Sequence, residues 1–142
     1  MAECAFCELV HNKLYFKVYE DRYFLGFLDN TPLSEGHTLV IPKKHFNNVW
    51  EMPAKGDYNI GDFFIVCKKI SNTLQFTLGP KEPVYGLVMG YQVPHASVHL
   101  IPKVYSGFAL TLGSFLTTRK SKKIMDSDDM FNVIKKIGKI PQ

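Results

Sequence analysis

The chain has 142 residues, of which 46% are hydrophobic and 21% charged, and its formal net charge at pH 7 is +4. This length fits one compact domain, the composition is ordinary for a globular protein, and no window approaches the roughly 20 apolar residues that a membrane-spanning helix needs. The charge is mild, and no RNA-binding motif with interleaved aromatic residues accompanies it, so nucleic acid is a weak candidate as a specific partner.

Two cysteines close to the start of the chain are a candidate metal site. The first residues lack the basic segment and apolar run of a secretory signal, so we expect a cytoplasmic protein with reduced cysteines. Cys4 and Cys7 have two residues between them, the spacing of two ligands of one tetrahedral zinc ion. Spacing cannot choose the other two ligands from the five histidines. The alternative is two reduced cysteines without a metal, whereas Cys67 is expected to be a small buried hydrophobic residue.

The first half of the chain predicts three strands. Segments 16–20 and 23–28 are rich in aromatic and β-branched residues, and Asp21 and Arg22 between them suit a hairpin turn. Turn-forming residues over 29–36 predict a loop. Segment 37–41 predicts a third strand, which the following proline ends.

The second half predicts a core helix, a further strand and a C-terminal helix. A cap at Asp57 or Asn59 precedes a core helix whose apolar residues recur every three or four positions, namely Phe63, Val66, Cys67, Ile70 and Leu74. Segment 84–89 predicts a buried strand. A basic run at 119–123 predicts a solvated linker. Asp126 or Ser127 then caps a helix with an apolar side of Met130, Val133, Ile134, Ile137 and Ile140.

Residues 91–103 carry the side chains with the most chemistry. In an extended conformation, alternation sends His95, Ser97 and His99 to one face, so two imidazoles flank a hydroxyl. Neighbours on that face lie about 6.5 to 7 Å apart, so the three could touch one small ligand or divide between two sites. The alternative is that they form the polar face of an ordinary half-exposed strand.

Five segments, in the same order, closely resemble the zinc-containing branch of the histidine triad (HIT) superfamily: 4–7, 17–21, 27–29, 36–45 and 93–102. The most specific is 36–45, Gly-His-Thr-Leu-Val-Ile-Pro-Lys-Lys-His. The resemblance implies an α+β fold, a curved antiparallel sheet with a long helix packed across it, commonly doubled into a homodimer. It ends at Lys103, so we expect a HIT-like domain over 1–110 and a basic linker with an additional C-terminal helix over 111–142, packed on the same domain.

The resemblance also implies the site. It implies a structural zinc held by Cys4, Cys7, His45 and His95. It further implies a purine nucleotide such as AMP or GMP, bound by Phe6, Leu9, Phe27, Leu28, Asp29, Asn30, Tyr91, Gln92 and His99. Asp29 would accept hydrogen bonds from the ribose hydroxyls, while aromatic and aliphatic groups hold the base.

The chain departs from the family pattern at the catalytic position. The family has His-x-His-x-His, whose middle histidine attacks the α-phosphorus of a nucleotide, and this chain has Ser97 there. A serine hydroxyl is a weak nucleophile until a base removes its proton, and His99 on the same face is a candidate base. The loop before the triad is also short, and Tyr91 stands where a phosphate-binding glutamine is expected, unless the register shifts and Gln92 compensates.

We therefore expect a nucleotide-binding HIT protein related to nucleoside phosphoramidate and dinucleoside polyphosphate hydrolases, with lost or impaired catalysis. One alternative is an active hydrolase or transferase that uses Ser97 or His99 in an altered mechanism. The other is a dimeric interaction module with a vestigial nucleotide pocket.

Overall fold

The protein is an α+β structure, seen in a computed structural model that describes residues 3–12, 16–79, 83–90, 92–102 and 126–142. Tyr91 and the basic run at 119–123 lie outside the described residues. The strands are β1 (Lys17–Glu20), β2 (Phe24–Leu28), β3 (Thr38–Pro42), β4 (Val84–Met89) and β5 (Ser97–Pro102). The helices are α1 (Ala5–His11), α2 (Ile60–Leu78) and α3 (Ser127–Ile137), with a 3-10 turn at Val49–Glu51. None of the helices in these ranges is both long and apolar enough to cross a membrane.

The five strands form one antiparallel sheet in the order β1-β2-β3-β5-β4, which confirms the fold class. The predicted hairpin between β1 and β2 is closed by Asp21, whose Oδ1 accepts hydrogen bonds of 2.7 Å from the backbone N–H groups of Tyr23 and Phe24. A short acidic side chain that bonds the backbone two and three residues ahead fixes a tight turn. This hairpin places the end of β2, and Asp29 after it, beside β3.

Helix α2 covers one face of the sheet. Asn59 caps it, since its side-chain oxygen accepts a 2.8 Å hydrogen bond from Asp62 N. All the predicted apolar positions are buried, and Leu78 extends them to Phe63, Val66, Cys67, Ile70, Leu74 and Leu78. This arrangement removes the strand residues of that face, such as Val40 and Val98, from water.

The prediction that 84–89 is a buried strand is wrong, because β4 is the last strand of the sheet. It pairs with β5 on one side only among the described residues, and Tyr85 and Val88 are 46% and 41% exposed. An edge strand can carry as many apolar residues as a central one when another surface covers it, so the local pattern could not distinguish the two. The half-exposed interpretation of 95–99 is also wrong, since every residue of β5 is buried.

Helix α3 packs against α2 and β1. Asp126 caps it through a 2.9 Å hydrogen bond from Asp129 N. Met130, Val133 and Ile137 are buried, as is Ile140 just after the helix.

Within the described ranges, the second face of the sheet is covered only in part. The side chains of Leu25, Phe27, Leu39 and Ile41 form a small apolar cluster on that face. The short helix α1 contributes Phe6, Leu9 and Val10 to it. A pocket therefore remains between α1, the sheet and the connection that leads into β5.

Candidate functional site

Two cysteines and two histidines converge at one end of the sheet. Cys4 Sγ lies 3.4 Å from His95 Nδ1, and Cys7 Sγ lies 3.4 Å from His45 Nδ1 and 3.7 Å from His95 Nδ1. Sulfur and nitrogen ligands of a tetrahedral zinc ion, at about 2.3 and 2.0 Å from the metal, are about 3.5 Å apart. The spacing of these four side chains therefore fits a zinc ion.

The hydrogen bonds around this cluster direct lone pairs toward its centre. His95 is fully buried, and its Nε2 donates a 2.9 Å hydrogen bond to the carbonyl oxygen of Pro42, which leaves the Nδ1 lone pair facing the sulfurs. His45 Nε2 likewise lies 3.3 Å from Asn47 Oδ1, while its Nδ1 faces Cys7. Such outer partners are the usual way in which a protein orients histidine ligands of a metal.

The electrostatics of the cluster also suit a cation. Burial is the main cause that lowers the pKa of His95, so its imidazole stays neutral and able to coordinate. Burial, followed by the adjacent Cys4, raises the pKa of the Cys7 thiol. A pair of thiolates here consequently needs a positive charge between them, which a divalent metal would supply.

Local structure explains how the four side chains meet. Cys4 occupies the N-cap position of α1 and Cys7 lies three residues on, so both sulfurs lie on one side of the first turn. His45 follows β3 and His95 precedes β5, and Ala96 N donates a 2.7 Å hydrogen bond to Phe46 O between these two segments. A metal here would tie α1 to the ends of two neighbouring strands.

A cavity of about 310 Å³ lies beside this cluster. Eight of the nine residues expected to bind a nucleotide line it, and the ninth, Tyr91, lies outside the described residues: the eight are Phe6, Leu9, Phe27, Leu28, Asp29, Asn30, Gln92 and His99. The volume is at the lower end of the range for small-molecule sites, and apolar side chains with a few polar groups are typical of them.

Sequence reasoning missed several lining residues. Leu39 pairs with His99 and with Phe27 across the sheet, so strand alternation would have identified it. Phe16, Met89, Val93 and Met130 also line the cavity. Met130 comes from α3, and nothing in the local sequence pattern indicates that this helix reaches the pocket.

Ser97 is the first residue of β5 and faces the pocket. It lies opposite Met89 of β4, and its Oγ donates a 2.8 Å hydrogen bond to the Met89 carbonyl oxygen. The hydroxyl proton is thus held by the backbone rather than by a basic side chain, so the hydroxyl is not activated as a nucleophile.

A buried histidine that the sequence analysis did not select, His37, sets the tautomer of His99. Leu33 N–H donates a 3.1 Å hydrogen bond to His37 Nδ1, so the proton of neutral His37 lies on Nε2. That nitrogen is 2.9 Å from His99 Nδ1 and donates to it. Neutral His99 then carries its own proton on Nε2 and offers a hydrogen-bond donor, which suits an anion and not the role of a base. The sequence signal for His37 was its position within segment 36–45, the most specific part of the family resemblance.

Asp29 completes this second cluster, since its Oδ2 lies 3.6 Å from His37 Nε2 and 3.9 Å from His99 Nδ1. By spacing these three groups could also hold a metal. The hydrogen bond from Leu33 argues against it, because an imidazole with a proton on Nε2 has no lone pair there to coordinate. Of the two clusters, the cysteine cluster therefore has the donors that could hold a metal ion.

Comparisons with known proteins give one family. The family model of the HIT domain matches residues 12–105. A HIT-like protein of Borreliella burgdorferi is 36% identical over 133 residues, 86% of this chain and 91% of that protein. Adenosine 5'-monophosphoramidase hnt1 of Schizosaccharomyces pombe is 31% identical over 115 residues, 78% of this chain and 81% of that protein.

Solved structures agree with the fold. A HIT-like protein from Bartonella henselae has a TM-score of 0.75 at 23% identity, covering 96% of this chain and 95% of its own. A zinc-bound histidine triad family protein from Mycobacterium smegmatis has a TM-score of 0.66 at 23% identity, covering 94% and 92%. At these identities the likeness establishes the architecture only.

Proposed function

Since the chain belongs to the HIT domain family, we propose that it binds a purine nucleotide but has lost, or retains only weakly, the hydrolysis that a histidine nucleophile performs. The observation that carries this proposal is Ser97. Its hydroxyl faces the pocket, at the position where the family resemblance implies the nucleophile, and donates a hydrogen bond to a backbone carbonyl. The relative from Schizosaccharomyces pombe is an adenosine 5'-monophosphoramidase, which makes AMP the first ligand to test and GMP the second.

The chain's own residues divide the work of binding. Apolar side chains from α1 and β2, Phe6, Leu9 and Phe27, would enclose the base, and Asp29 would accept from the ribose hydroxyls. His99, with a proton on Nε2, would donate to a phosphate oxygen. Gln92 lines the same cavity and offers a side-chain amide.

A structural zinc ion is part of the proposal. The donor set of two thiols and two imidazoles, their separations and their outer hydrogen bonds all suit it. The ligands would be Cys4, Cys7, His45 and His95, and the neighbouring protein from Mycobacterium smegmatis is itself zinc-bound. We place the protein in the cytoplasm, where thiols stay reduced and available to a metal.

Hydrolysis of a fluorogenic adenosine phosphoramidate tests the loss of activity. We expect the natural chain to turn over no faster than Ser97→Ala, because the hydroxyl contributes no chemistry. Ser97→His should turn over at least 100-fold faster than both. Removing a protease nucleophile costs on the order of 10⁶ in rate, about 8 kcal/mol, so a full restoration of activity by Ser97→His would far exceed 100-fold.

Two outcomes would refute the loss of activity. One is turnover by the natural chain comparable to that of Ser97→His. The other is a large drop in Ser97→Ala relative to the natural chain, with nucleotide trapped on the protein in a form that distinguishes phosphoserine from phosphohistidine by acid and alkali stability. Either would favour an active enzyme with an altered mechanism.

A dimeric interaction module is the second candidate function, and exposed apolar side chains favour it. Phe64, Ile65 and Phe76 on α2 are 38%, 55% and 81% exposed, and Tyr85 and Val88 lie on the edge strand β4. Large exposed apolar side chains on adjacent elements are typical of association surfaces, and we propose a homodimer through them. Sedimentation of the natural chain and of Phe76→Asp tests the dimer. Calorimetric titration with AMP and GMP distinguishes the two candidate functions, because the absence of binding at millimolar nucleotide would favour the interaction module.

A further inference from the structure

We propose that α3 forms the wall of the pocket that contacts the nucleobase, and that Met130 on this helix sets the preference for a purine over a pyrimidine. This inference rests on the proposed nucleotide binding and assigns a further specificity determinant to it. Met130 lines the cavity together with Phe16, although α3 lies outside residues 12–105 that the HIT family model matches. Most of the other lining residues lie within that matched range or on α1.

The strand register places this wall at the Asp29 end of the pocket. Leu28 N donates a 3.0 Å hydrogen bond to Phe16 O, so Phe16 lies directly beside the end of β2, and Asp29 is the next residue. Phe131, the residue after Met130, stacks on Phe16, which brings the first turn of α3 to this end of the cavity. The carboxylate that would hold the ribose is thus close to the wall that α3 provides.

The same register separates this wall from the phosphate end. Leu28 pairs with Thr38, and Thr38 pairs with Leu100, so Leu28 lies two strands across and three residues along from Ser97. With about 4.8 Å between strands and 3.3 Å per residue, the separation is about 14 Å. His99 lies between the two ends, since its Nδ1 is 3.9 Å from Asp29 Oδ2. A nucleotide with its phosphate near Ser97 and its ribose at Asp29 would direct its base toward the wall.

The position of Met130 is well defined by its helix. Val133 and Ile137 bury the same side of α3 in the main core, and Phe131 stacks edge to face on Phe16 with ring centroids 5.2 Å apart. On the outer side, Lys136 Nζ lies 2.8 Å from Glu35 Oε1. A methionine fixed in this way presents a polarizable thioether, which makes favourable contacts with an aromatic ring. The larger bicyclic base would make more of this contact than a pyrimidine.

Titration of AMP and CMP against variants tests the inference. We expect Met130→Ala to bind AMP about fivefold to tenfold more weakly than the natural chain and to lose most of the preference for AMP over CMP. Met130→Leu, which conserves volume, should stay within about twofold. Val133→Ala is the matched control, because Val133 is buried on the same face of α3 as Met130 but does not line the cavity. Its nucleotide affinities should stay within twofold.

A measurement on the natural side chain keeps the test independent of how well Met130→Ala folds. The chain has five methionines, and the spectrum of Met130→Leu assigns the Met130 methyl signal in protein labelled with carbon-13 at the methionine methyl groups. We expect AMP to shift the Met130 signal, while Met52, which is buried away from the cavity, does not shift.

The outcomes are distinguishable. An unshifted Met130 signal at saturating AMP, or equal losses of affinity in Met130→Ala and Val133→Ala, would overturn the role of Met130 while nucleotide binding stands. No binding of AMP, GMP or CMP by the natural chain would overturn the proposed function, and the inference with it.

Discussion

Removal of zinc should weaken nucleotide binding although the metal lies outside the pocket. Helix α1 carries Cys4 and Cys7 on one side and the pocket residues Phe6 and Leu9 on the other. It has only seven residues, too few for a stable helix by itself, so its place depends on the metal and a small apolar cluster. Losing the metal would therefore free α1, and with it Phe6 and Leu9, from the pocket.

The expected magnitude follows from burial. Full burial of a leucine or phenylalanine side chain is worth about 1.5 to 3 kcal/mol, and Phe6 and Leu9 are each partly buried. Losing about half of each contribution amounts to about 2 kcal/mol. That corresponds to a dissociation constant for AMP about 30-fold higher.

The assay compares zinc-loaded and chelator-treated protein. Elemental analysis establishes the metal content, circular dichroism follows the fold, and calorimetry measures AMP affinity. Cys7→Ser should reproduce the chelated state, whereas His11→Ala, a change on the same helix outside the four-ligand cluster, should keep zinc and affinity. Zinc-free protein with unchanged affinity and unchanged hydrogen exchange in α1 would refute the reasoning.

Three further results are expected. Zinc should be released as the pH falls from 7 to 5, because protons compete with the metal for the thiolates and the raised pKa of the Cys7 thiol favours its protonated form; a colorimetric zinc chelator follows the release. Ile70→Ala should destabilise the fold by about 2 to 5 kcal/mol in a urea titration, because Ile70 is fully buried between α2 and the sheet. His37→Ala should cost about 2 to 4 kcal/mol by the same measurement, since it removes the partners of Leu33 N–H and His99 Nδ1, and His37→Gln should cost less.

Much of the fold is predictable from local pattern. The period of α2, its cap at Asn59 and the turn at Asp21 are each decided within a few residues of sequence. The exposure of β4 is not, because the same apolar strand suits a sheet centre or an edge that another surface covers.

The functional site, like the fold, has some features that local sequence predicts and others that it does not. Two cysteines with two residues between them suggest a metal, but only the family resemblance points to His45 and His95 as the other ligands, and the distances between these side chains fit that set. The role of His37 depends on a contact with His99, 62 residues away in the chain, which no local pattern contains. Met130 joins the pocket through the packing of a whole helix, so it could be found only from the tertiary structure.

The edge strand β4 connects assembly to ligand binding. Its outer residues Tyr85 and Val88 are exposed, while Met89 at its end lines the pocket and holds the Ser97 hydroxyl through its carbonyl. A second chain that docks on this edge would restrain the same strand that borders the phosphate end. Thermodynamic linkage then requires reciprocity: whatever the dimer does to nucleotide affinity, the nucleotide does to dimer affinity by the same factor. Apparent nucleotide affinity would consequently vary with protein concentration, so dilution alone reports on the coupling.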